Sequence, residues 1–138
     1  MEQRDYLKKQ IDQLGQVLAK ILSDLIGLKN RGELNVGIEI TNQTLKNELD
    51  FDLQNILDIP TDKFIDTIKG QKDLTNENIE KLAEILFVIA DNQVDGNKNL
   101  YQKCLAIYAY LEKVENSYSL DRHWKIKRIK NFVDYQNK

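Results

Sequence analysis

Residues 74–90 read LTNENIEKLAEILFVIA, and whether they form a strand or a helix decides the fold. ILFVIA, residues 85–90, is the longest strictly apolar run in the chain, and alone it suits a buried strand. The residues ahead of it argue for a helix. Thr75 is placed to cap the free amides of a helix start, and Glu77 falls in the first turn, where the helix dipole favours a negative charge. Leu74 before the cap and Ile79 inside the helix have the spacing of a hydrophobic staple. Ile79, Leu82, Leu86 and Ile89 then recur at helical intervals. Apolar residues also lie outside that stripe, so this helix is expected to be the most buried one.

The same period runs through the N-terminal segment. Leu7, Ile11, Leu14, Leu18, Ile21, Leu25 and Leu28 alternate steps of four and three, which makes a heptad seam on one face of a helix over about 4–29. Val17, Leu22 and Ile26 widen the stripe, as expected when a helix packs against more than one neighbour. Gly15 and Ala19 lie four apart, where small side chains let another backbone approach. The helix is expected to stop at Asn30-Arg31-Gly32.

Between these two helices the pattern is weaker. Val36, Ile38 and Ile40 alternate as in a strand, but Leu45 and Leu49 continue a helical period and no partner strand appears elsewhere. The reading is a helix from about Val36 to Leu49. FDLQNILDI, residues 51–59, is a short helix ended by Pro60, because the residue before a proline is pushed out of helical angles. Pro60 and Thr61 open the next helix, which buries Phe64, Ile65 and Ile68 and stops at Gly70. Beyond residue 99, Leu100, Cys104, Ile107, Leu111, Val114 and Tyr118 step by four and three, with Tyr101, Leu105 and Tyr108 broadening the face. Ser119 caps a last helix through Trp124, Ile126, Ile129, Phe132 and Val133. The expected fold is all-α: one domain over 1–138, a compact bundle of six or seven helices in mostly antiparallel hairpins.

Bulk properties agree with that fold. The chain has 138 residues, one proline and six glycines, so long helices meet few interruptions. One cysteine excludes an internal disulfide and a multi-cysteine zinc site, and it suits a reducing compartment. The N-terminus mixes acids and bases ahead of any apolar run, unlike a secretory signal, and no run is long enough to span a membrane. A cytoplasmic protein with no membrane partner is expected. The net charge of −2 is unevenly spread: residues 33–95 carry five bases and fourteen acids, and residues 96–138 nine bases and four acids. An acidic middle and a basic C-terminus suit self-complementary packing or a charged partner.

Few motifs invite chemistry. Asp91 to Gln102, DNQVDGNKNLYQ, has Asp, Asp and Gly at the first, fifth and sixth places of a calcium loop, as the EF-hand pattern asks. Gln93 stands at the third place, Lys98 at the eighth, and neutral Gln102 where a bidentate Glu is needed, so charge and denticity are lost together. The stretch reads as a turn, and no calcium is expected there. His123 is the sole histidine and Cys104 lies on an apolar seam, with no local signature of a nucleophile pair. There is no phosphate-cradling glycine loop, no Gly-x-Ser-x-Gly elbow and no His-Glu-x-x-His. No cofactor or metal is expected, and the chain does not read as an enzyme. Arg122, Lys125, Lys127, Arg128 and Lys130 put five bases within nine residues, with Trp124 among them. Phosphate contacts and base stacking need such groups. Helical steps nevertheless scatter them around the helix, and a pI near 5.5 counts against a dedicated nucleic-acid binder.

Residues 100–126, LYQKCLAIYAYLEKVENSYSLDRHWKI, and residues 5–22, DYLKKQIDQLGQVLAKIL, resemble a family of small uncharacterised bacterial helical proteins. That resemblance implies an all-helical fold and carries no activity. With Tyr101, Leu105 and Tyr108, the start of the first stretch is also similar to a tetratricopeptide helix pair, which implies stacked hairpins with a protein-binding face. The family's Trp, Leu-Gly and terminal Pro positions are missing, and no second copy lies 34 residues away. The expected role is a non-enzymatic protein-interaction or assembly module, with another protein or a second copy as partner and the seam from Leu7 to Leu28 buried against other helices, either within the chain or across a homodimer interface. The alternative is a nucleic-acid-binding regulator using the basic C-terminal helix.

Overall fold

The computed structural model describes the backbone of residues 2–71, 74–92, 98–115 and 119–136 and, among these, all side chains but those of 2–6 and 134–136. Among the described residues there are seven helices and no strand: α1 (Glu2–Asn30), α2 (Leu34–Leu49), α3 (Leu53–Asp58), α4 (Thr61–Lys69), α5 (Asn76–Asp91), α6 (Lys98–Val114) and α7 (Leu120–Gln136). The chain is an all-α bundle.

ILFVIA is helical, and its cap explains why. Thr75 Oγ1 accepts from the Asn78 amide at 3.4 Å, and Leu74 and Ile79 are both buried beside it. From Asn78 to Ala90 only Glu80, Lys81, Glu84 and Val88 escape full burial, so α5 is surrounded. It packs mainly against α6 and α1. Hydrogen bonds give the helix directions: the Tyr101 hydroxyl donates to Asp91 at 2.7 Å and the Tyr110 hydroxyl to Asn76 at 2.8 Å, so α6 runs antiparallel to α5. Helix α4 lies along α6 in the same direction, with Lys103 near Thr61 at one end and Lys69 over the Tyr110 ring at the other. Helix α7 returns antiparallel to α6, joining Arg122 to Glu115 and Phe132 to Tyr101.

Helices α1 and α2 form a hairpin on the other side of α5. Gly32, with φ +77°, makes the turn in the left-handed region that favours glycine. Helix α2 then approaches α1 closely at Gly37, where a Cβ would stand 2.9 Å from Leu25 Cδ1. Inside the hairpin Thr41, Leu45 and Leu49 are buried, and the Thr41 hydroxyl donates to the Gly37 carbonyl at 2.8 Å. The strand-like alternation of Val36, Ile38 and Ile40 thus lies on a helix, which starts at Leu34, two residues before the position its pattern suggested.

Spacing misplaced some apolar residues. Val114 and Trp124 belong by period to apolar faces, yet both are exposed. Tyr118 and residues 93–97 of the Asp91–Gln102 stretch lie outside the described residues.

Candidate functional site

The heptad seam of α1 is largely an internal surface. Leu14, Leu18, Ile21 and Leu25 are buried, Ile11 and Leu28 are half-buried, and Leu7 is exposed. Gly15 is buried beneath Asn78, whose amide donates to the Ile11 carbonyl at 3.1 Å, and Ala19 is exposed.

The five bases of α7 do not make one cationic surface. Arg122 is only 3% exposed and sits among acids. Its Nε and Nη2 donate to both carboxylate oxygens of Glu80 at 2.9 and 3.0 Å, and Nη2 also reaches Glu115 at 2.9 Å. Nη1 stands 3.5 Å from Glu112. The hydrogen bonds to Glu80 come first among the causes that hold its pKa above the ordinary range, so the guanidinium is a fixed charge tying α5, α6 and α7 together. Lys125 pairs with Asp121 at 2.9 Å and lies 5.7 Å from the Phe87 ring. Arg128 donates to Asp91 at 2.7 Å and covers the Trp124 ring at 5.8 Å. Lys127 and Lys130 are exposed. Three of the five bases are thus engaged with carboxylates of the chain itself.

Cys104 is fully buried, its thiol 3.7 Å from the Ala83 carbonyl, and burial pushes its pKa up, away from a reactive thiolate. His123, on α7, is exposed. Among the described residues no three His, Cys, Asp or Glu side chains gather as a metal site, and no helix is long and apolar enough to cross a membrane.

An apolar groove runs along the outer side of the α1–α2 hairpin, with a volume of about 390 Å³. It is lined on α1 by the C-terminal half of the heptad seam, Ile21, Leu25 and Leu28, and on α2 by Gly37, against which Leu25 and Leu28 pack. Ile40 lines the α2 wall and is 46% exposed, and Val36, one turn earlier, is 48% exposed. Lys20 and Asp24 on α1, paired at 2.9 Å, and Glu48 on α2 put both charge signs on the lips. Among the described residues helix α2 packs chiefly on α1, without the several helix neighbours that α5 and α6 have. The sequence reading did not single out this groove. Val36 and Ile40, four apart, were its visible signal, spent there on the choice between strand and helix. No protein-family model, curated protein or solved structure matches the chain.

Proposed function

We propose that this protein is a non-enzymatic assembly module that pairs with a second copy of itself through the outer side of the α1–α2 hairpin. The observation that carries the reading is the groove, with Val36 and Ile40 close to half exposed on a helix that has one principal neighbour. Apolar side chains grouped beside a groove mark interaction surfaces more than singly scattered ones do. Two hairpins laid face to face about a two-fold axis make a four-helix arrangement, which covers each groove with the helices of the other copy. The lips carry Lys20 paired with Asp24 and one further acid, Glu48, and a net charge of −2 on the chain gives little repulsion between copies. The dimer surface therefore shifts from the inner seam, whose central leucines are used within the chain, to the rim of Val36 and Ile40.

The test is the double variant Val36→Asp/Ile40→Asp. Both residues are exposed in the single chain, so helical content by circular dichroism should stay unchanged while the molar mass falls from dimer to monomer. Unchanged mass with an intact fold contradicts the proposal. A nucleic-acid reading is less well supported, since it is left with Lys127, Lys130 and Trp124 once Arg122, Lys125 and Arg128 are committed to acids.

A further inference from the structure

We infer that Lys103 is the binding group of a small-oxyanion site, taking a carboxylate or phosphate group in the cleft between the α3–α4 junction and the start of α6. The cleft measures about 490 Å³ and is lined by Asp58, Thr61, Lys98, Asn99, Gln102 and Lys103 among others. Lys103 is 1% exposed. Its ammonium donates to Asn99 Oδ1 at 2.7 Å and Thr61 Oγ1 at 3.3 Å and lies 5.8 Å from the centre of the Phe64 ring. None of these partners is an anion, and among the described residues no carboxylate lies within ion-pairing distance of it. The contrast with Arg122, likewise buried but met by three carboxylates, is direct.

A buried charge without a counter-charge is costly, and burial lowers the Lys103 pKa accordingly. Its neighbours on α6, Leu100, Cys104 and Ile107, are buried and apolar, and an uncharged side chain at this position would not carry that cost. The cleft has a carboxylate in Asp58, but none pairs with the ammonium among the described residues, and the cleft leaves room for one that would. The cover over the ammonium is thin: Asn99 and Thr61 are both exposed, and Asn99 is held by one further bond, from its amide to the Leu57 carbonyl at 3.2 Å. Rotation of Asn99 lets an oxyanion take the place of its carbonyl, exchanging a neutral acceptor for a charge-assisted one. Gln102 brings an amide donor and Lys98 further positive charge to the rim. Asp58 shares the cleft, and its Oδ1 accepts from Gln54 at 2.9 Å.

The test uses the full chain and two probes, inorganic phosphate and sodium acetate, each titrated at constant ionic strength against chloride. Amide resonances of Thr61, Asn99 and Lys103 report binding. Saturable shifts are expected, with phosphate alone acting if the ligand is a phosphate ester and acetate also acting if it is a carboxylate. Lys103→Met should weaken binding about tenfold or more, the loss of a charge-assisted bond. In chloride it should be at least as stable as the parent, because the uncompensated charge is gone. Lys103→Gln, shorter and polar, repeats the measurement if the methionine variant does not fold. Absence of saturable shifts with both anions, equal binding by the variants, or a loss of stability in chloride for both variants overturns the assignment.

Discussion

Arg122 and Lys103 are buried cations with opposite surroundings, and each predicts a different response to removal. Arg122→Met leaves Glu80, Glu112 and Glu115 facing one another without their cation. The acids left behind are only half-buried, so the loss is that of their charge-assisted hydrogen bonds, about 1.5–3 kcal/mol, and the denaturant midpoint should drop. Sequence reasoning grouped Arg122 with its basic neighbours because its main partner, Glu80, is 42 residues away and periodicity along α7 says nothing of that distance. Glu84 supplies a pH test. Burial, opposed by Lys125 and aided by Asp121 and Glu80, raises its carboxyl pKa above the ordinary 4.5. The folded chain then binds more protons than the unfolded one between the ordinary and the raised pKa. Stability from this group is complete below the ordinary value and is lost as pH rises through the folded one. Glu84→Gln should accordingly be more stable than the parent at neutral pH, with the difference shrinking as pH falls below the carboxylate range. Denaturant unfolding at neutral and acidic pH measures both ends.

At the scale of helices, the local signals read best. Thr75 caps α5 and Ser119 Oγ accepts from the Arg122 amide at 3.1 Å, each at the cap position expected of it. Those caps needed no knowledge of distant residues. The start of α3 escaped notice for a different reason. Asp52 accepts from the Asn55 amide at 3.0 Å while Asn55 accepts from the Asp52 amide at 2.9 Å, a reciprocal box built from Asp and Asn instead of the familiar Ser or Thr with Glu. Two residues earlier Asp50 ends α2 in the left-handed region, at φ 61°. Two acids two residues apart thus end one helix and begin the next. Asp52→Ala should cost about 1 kcal/mol by equilibrium unfolding, with α3 losing amide protection before the rest.

For the molecule as a whole, α5 explains the arrangement: it is apolar on several faces, so helices must close around it from more than one side. That much was legible in residues 74–90. The partner of each remaining face was not, because a heptad seam looks the same whether a helix of the same chain or of another covers it. The structure assigns Leu14, Leu18, Ile21 and Leu25 to the interior and leaves Val36 and Ile40 exposed, on a hairpin with an open groove. Assembly through that groove is the central claim, and the molar mass of the unaltered chain in solution, by size-exclusion chromatography with light scattering over a range of concentrations, tests it most directly. A dimer of about 32 kDa, twice the chain mass of 16.1 kDa, is predicted. A mass that stays at 16.1 kDa as concentration rises contradicts it.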